Sequence, residues 1–158
     1  MDSKGTNSRS VTEDLWNYVW YHGSISRQLA VDQVANYGDF LVRDCISSPG
    51  ICVLTCKNID GKILHFRINN IVEEDGQTCY QFEEECFPSV AMLIKYYRDR
   101  KKPISTSSNA VLLRPIERST NIMETHYARL KPNTVANNGH HRSRSHSSMS
   151  ASSILSLA

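Results

Sequence analysis

Arg43 is the residue whose chemistry is hardest to explain without a ligand. It closes the run Asp39-Phe40-Leu41-Val42-Arg43. Three consecutive apolar positions mark a strand covered on both faces. A guanidinium drawn under such cover is costly unless an anion meets it. Asp44 cannot be that anion, because neighbouring side chains on a strand point to opposite faces. Asp39 shares the face of Arg43 but lies four residues away, roughly 13 Å along the strand. Taken alone, the pattern also allows Arg43 to end the strand and reach water along its apolar stem.

Other cations favour an anion site. His65 and Arg67 are two apart in the run from Lys62 to Asn69, so they share one strand face. Arg27 falls in the first turn of a helix, where a positive side chain opposes the dipole and strengthens an anion site. Shortly after Arg43 comes Ser47-Ser48-Pro49-Gly50, a turn whose two hydroxyls and free N–H groups suit phosphate oxygens. Together these residues could form a compact pocket for a dianion.

The elements that must position them are readable. Ser26 can cap a helix through Tyr37, with Ala30, Val31, Val34 and Tyr37 on its apolar side and Gly38 as a left-handed stop. Residues 39–43 and 51–57 are short apolar runs rich in β-formers. Asp60-Gly61 turns the second into a hairpin with residues 62–69. An acidic turn, Glu73-Glu74-Asp75-Gly76, leads to a small β segment around residues 79–82. Pro88-Ser89 opens a second helix carrying Val90, Leu93, Ile94 and Tyr97, which stops before Pro103. Helix, three strands in hairpin succession and helix predict an α+β fold, a central antiparallel sheet flanked by two helices.

Composition sets the limits. The chain has 158 residues, 40% hydrophobic and 22% charged, with a formal net charge of +2. That balance argues against a strongly basic nucleic-acid binder. No apolar run approaches the roughly 18–20 residues that span a bilayer, and the opening MDSKGTNSRS has no apolar core of a secretory signal. The chain is therefore expected to be soluble and cytoplasmic. Residues 1–118 carry a net −1, whereas residues 119–158 carry +3 and four of the six histidines. Residues 1–15 and 119–158 are too polar to bury a core, so both read as disordered, the second as a Ser/Arg/His-rich tail. Tyr127 in that tail is a possible modification site. Five cysteines, an odd number, in a chain without a secretory signal suggest reduced thiols instead of a disulfide framework.

Three ordered stretches carry a family resemblance: Trp20-Tyr21-His22-Gly23-Ser24-Ile25-Ser26-Arg27, then Gly38-Asp39-Phe40-Leu41-Val42-Arg43-Asp44, then His65-Phe66-Arg67-Ile68. Their order and spacing resemble a Src-homology-2 (SH2) domain spanning residues 16–118. The resemblance implies a phosphotyrosine peptide lying extended across the sheet. It assigns Arg43 to the phosphate, Arg27 to phosphate and ring, His65 to ordering the pocket and Arg67 to lining the ring. Ser47 and Ser48 match the phosphate-binding loop. Cys45 departs from the family's usual serine, and a thiol is a weak donor. Phe66 faces away from the phosphate side and could line the following peptide residues. Phe82 aligns with a loop position where a bulky aromatic can plug the path of an extended peptide; core packing is its plainer role.

Finer matches, including Ser47-Ser48-Pro49-Gly50 and Lys102-Pro103-Ile104-Ser105, resemble the novel-SH2-containing-protein adaptors. That resemblance implies a monomeric module of an intracellular signalling adaptor, recruiting it to tyrosine-phosphorylated proteins. A regulatory SH2 module cut from a larger kinase or phosphatase is the alternative. The exchange-factor-like domain of those adaptors has no counterpart in this chain.

Rival chemistries find little support. No cysteine is followed by an arginine at the spacing of a phosphatase loop, and nothing in the sequence pairs a cysteine with His65, so no enzyme is expected. Cys52 and Cys56 lie four apart, which is not the hook of a zinc knuckle. Neither metal nor cofactor is expected, and the sheet lacks the exposed aromatics of an RNA-binding surface.

Overall fold

The computed structural model describes residues 15–121. The disorder expected at 1–15 and 119–158 and the expectation for Tyr127 lie outside these residues, apart from the few at each margin. Ser26 begins the first helix as expected, its Oγ accepting the Leu29 N–H at 3.1 Å. This helix, α1 (Arg27–Gln33), is one turn shorter than the sequence suggests, because Val34 is already extended. The cause lies downstream. The Asp39 carboxylate accepts the N–H groups of Ala35 and Asn36 at 3.2 and 2.8 Å, so these donors are satisfied outside the helix. Gly38 is left-handed (φ +81°), but it serves the turn into the sheet instead of capping the helix. A Cβ there would meet the Leu113 side chain at 2.6 Å.

The strands are β1 (Asp39–Asp44), β2 (Cys52–Lys57), β3 (Ile63–Val72), β4 (Thr78–Gln81) and β5 (Arg114–Pro115), with helix α2 (Val90–Arg100) between the last two. They form one sheet in the order β4-β3-β2-β1-β5. The first four run antiparallel to their neighbours. β5 is a short parallel addition to β1, which the expected all-antiparallel sheet lacked. The chain returning after α2 reaches it by carrying Arg114 to Asp39.

Period-two alternation divides the residues of β1 between two cores. Phe40 and Val42 enter the larger cluster, with Leu54, Cys56, Leu93, Ile94 and Tyr97 on the α2 side. Leu41 joins Ile25, Ala30 and Val34 beneath α1. α2 starts on Ser89, whose Oγ accepts the Met92 N–H at 3.2 Å. It ends on left-handed Lys101 (φ 48°).

The expectation of reduced thiols is corrected at one pair. Cys79 and Cys86 form a disulfide with Cα atoms 5.5 Å apart. Tyr80 and Phe87, each next in sequence to one of these cysteines, exchange backbone hydrogen bonds at 2.7 and 2.9 Å across an antiparallel bridge. Cys45, Cys52 and Cys56 are free thiols, the last two buried.

Entry and exit of the chain are tied together. Val42 and the Trp20–His22 backbone exchange hydrogen bonds at 2.8 Å. Arg118 donates to the carbonyls of Trp16, Tyr18 and Tyr21 at 2.8–2.9 Å and lies over the Trp16 ring at 5.1 Å.

Candidate functional site

Strand register builds the site. Arg43 pairs with Val53, and Val53 pairs with Arg67. These three therefore form one row across the α1 face of the sheet. In the next row Leu41 pairs with Thr55, and Thr55 with His65. α1 brings Arg27 above this face, and the chain after β1 closes the far side. The result is an open pocket of about 490 Å³ lined by Arg27, Arg43, Cys45, Ile46, Ser47, Val53, His65 and Arg67.

Arg43 forms its floor. It is only 7% exposed, so it does not reach out to water from the strand end. Nη1 donates to the Asp44 carbonyl at 3.2 Å, while Nε is buried without a partner. Burial pulls its pKa down from the usual guanidinium value; Cys45 opposes that shift and Arg27 adds to it. Both nearby carboxylates are engaged elsewhere. Asp44 accepts from Tyr21 Oη at 2.5 Å and Ser24 Oγ at 2.9 Å. Asp39 accepts from Arg114 Nε at 2.6 Å. Among the described residues, no acid forms an ion pair with Arg43.

His65 supplies no charge to this pocket. Its Nδ1 and Thr55 Oγ1 lie 2.9 Å apart. Burial, then the Arg27 and Arg43 cations, push its pKa down to about 4. The imidazole is therefore neutral near pH 7, and the positive charge comes from three arginines.

The loop after β1 contributes unevenly to the lining. Ser47 is among the residues lining the pocket and Ser48 is not. The Ser48 N–H donates to the Cys45 carbonyl at 3.2 Å. Cys45 is itself part of the lining, with Sγ and Ser47 Oγ 3.3 Å apart. The sequence marked it only as a weak donor; its position two residues beyond Arg43 was the available signal. Ile46 and Val53, the apolar parts of the wall, carried no signal separable from ordinary strand or loop residues.

Phe66 and Phe82 lie on the other face. Phe66 is half-buried against the larger core, with its ring centroid 6.2 Å from that of Phe82. Phe82 is 7% exposed and packs edge-on against Tyr97 at 5.2 Å. This is the core packing expected from the sequence as its plainer role. The nearby surface carries a second, smaller cavity of about 160 Å³ lined by Tyr97, Lys102, Ile104 and neighbouring loop residues.

The sequence profile of the SH2 domain matches residues 20–97, which contain every residue lining the cationic pocket. The SH2 domain of the Monosiga brevicollis CRK/CRKL homolog is 30% identical, with a TM-score of 0.50 over 63% of this chain and 88% of that one. The chain belongs to the SH2 domain family. A mouse (Mus musculus) relative, breast cancer anti-estrogen resistance protein 3 homolog, is 45% identical over 114 residues, which cover 68% of this chain but 14% of that protein. The VAV1 SH2 domain, solved with a tyrosine-phosphorylated peptide from SLP76, shares the fold at 23% identity and a TM-score of 0.54, covering 67% of this chain and 75% of that one. The adaptor-type resemblance read from the sequence agrees with the mouse relative. Among the described residues, no helix of this SH2 domain is long and apolar enough to cross a membrane.

Proposed function

We propose that this SH2 domain binds tyrosine-phosphorylated peptides and recruits a signalling adaptor to tyrosine-phosphorylated proteins. The observation that carries this reading is Arg43, a guanidinium 7% exposed with a buried, unpartnered Nε at the base of an open cationic pocket. A phosphate dianion supplies the missing acceptors, and a guanidinium can bond two of its oxygens at once. Arg27 and Arg67 add charge from the walls, while Ser47 offers a hydroxyl. Neutral His65 acts by holding Thr55 and shaping the pocket, not by adding charge. Ile46 and Val53 give the aromatic ring an apolar wall. From there the peptide crosses β3 toward Phe66 and the second cavity, where the residues after phosphotyrosine are read.

The chain spans about one seventh of the mouse relative, so recruitment is a role for the protein that carries the domain. An array of tyrosine-phosphorylated peptides and their unphosphorylated twins tests the reading. Binding confined to phosphorylated members is expected. Equal binding of both sets overturns it.

A further inference from the structure

Cys45 stands out from the other four cysteines. Cys79 and Cys86 are bonded to each other. Cys52 and Cys56 are buried strand residues, and burial pushes both thiols up to about 12. Cys45 alone is a free thiol that is not buried, and it opens into the cationic pocket. A second observation marks the same space as a binding site. Arg43, more than nine-tenths buried, lines it and keeps Nε without a partner.

We propose that Cys45 is a modification site within the pocket, at which small anionic disulfides such as glutathione disulfide form a mixed disulfide that shuts out phosphate. For its consequence this inference rests on the phosphotyrosine reading of the pocket; the reactivity itself does not.

Two physical effects support it. The thiolate is the nucleophile in disulfide exchange, and here it is favoured. Hydrogen bonding by the Ser47 side chain leads, with Ser48 backbone and side chain assisting against slight burial, and holds the Cys45 thiol below its ordinary value. The second effect concerns the reagent. Glutathione disulfide carries carboxylates, and the arginines that suit a phosphate also concentrate such an anion beside the sulfur.

The exchange balances without another reactant. Cys45 loses its proton to solvent, and its sulfur attacks one sulfur of the reagent. A Cys45–glutathionyl S–S bond forms as the reagent's own S–S bond breaks. Glutathione leaves as a thiolate and takes a proton from water. The Cys45 sulfur is oxidised and the departing sulfur is reduced by the same electron pair. The attached tripeptide then occupies the space of the phosphate and aromatic ring.

The full chain is incubated with glutathione disulfide, mapped by peptide mass analysis and titrated with phenyl phosphate by NMR. One glutathionyl group on Cys45 and none on Cys52 or Cys56 is expected. The adduct should lose phenyl phosphate binding, and excess phenyl phosphate should slow the labelling. Relative to a small free thiol, glutathione disulfide should react about tenfold faster than neutral hydroxyethyl disulfide. Cys45→Ser should take no group, and its phenyl phosphate binding should be the same before and after the reagent. No labelling of Cys45, or an adduct that binds phenyl phosphate like the untreated chain, overturns the proposal. Failure of the untreated chain to bind phenyl phosphate overturns the phosphotyrosine reading and the proposed exclusion with it, while selective labelling of Cys45 still decides the reactivity.

Discussion

Asp39 and Arg43 share one face of β1, and Asp39 is the one that has its counter-ion. Arg114 Nε donates to the Asp39 carboxylate at 2.6 Å, whereas Arg43 Nε has no partner. The same strand thus carries one compensated charge and one left without a counter-ion among the described residues.

Arg43→Lys follows directly from that contrast. The ammonium keeps the charge but meets phosphate as a point and loses the fork. Phosphopeptide affinity should fall by about 2–5 kcal/mol, roughly thirtyfold to several thousandfold. The fold should persist, because no ion pair within the described residues depends on Arg43. Calorimetry gives the affinity and circular dichroism the fold. Wild-type affinity in a folded variant would remove Arg43 from phosphate recognition.

Asp39→Asn tests the other charge. The wild-type carboxyl is buried, which raises its pKa, but hydrogen bonds from Asn36, Arg114 and Ala35 outweigh burial and hold it below 3.8. Its stabilisation is therefore present above the unfolded value and is lost as pH falls through the lower folded value. Losing a charged acceptor of this kind costs about 1–3 kcal/mol. The low end is expected here, because the Arg114 side chain is 58% exposed and screened by solvent. Urea unfolding near pH 7 should show the loss, and the difference from wild type should shrink in acid.

His65 gives a second pH signature. Its folded pKa of about 4 lies below the ordinary 6.5, so the unfolded chain binds the extra proton first. Stability from this group is complete above 6.5, declines as pH falls toward 4 and loses nothing further below that. The imidazole proton resonances of His65 should stay at their neutral positions from about pH 7 to pH 5.5. A His65→Gln variant should lose less stability than wild type across the same interval. Titration of His65 near 6.5 would show that neither burial nor the two arginines act on it.

Much of this site was legible because β-structure has a strict period. Phe40 to Val42 marked a strand covered on both faces, and alternation then placed Arg43 on one face and Asp44 on the other. The same rule put His65 and Arg67 together and Phe66 opposite them. What escaped the sequence depended on contacts between distant residues. α1 stops early because Asp39, beyond its end, captures two N–H groups. Cys79 and Cys86 meet where the chain folds back after β4 and Tyr80 pairs with Phe87, and a cysteine count holds no trace of that fold-back. For Phe82, whose plainer role was already core packing, the sequence did not name its partner, the Tyr97 ring on α2. His65 was counted as a possible cation, and its burial, together with the spatial closeness of Arg27 and Arg43, keeps it neutral.

The clamp made by Arg118 has a mechanical consequence. Its guanidinium holds the carbonyls of Trp16, Tyr18 and Tyr21, so the incoming and outgoing chain are fastened at one place. A domain with adjoining ends can be inserted into a longer polypeptide without spreading its attachments apart. Tension between the flanking segments would load that knot before it reached the sheet. The pocket arginines would keep their spacing while the flanking segments are pulled or reoriented around them.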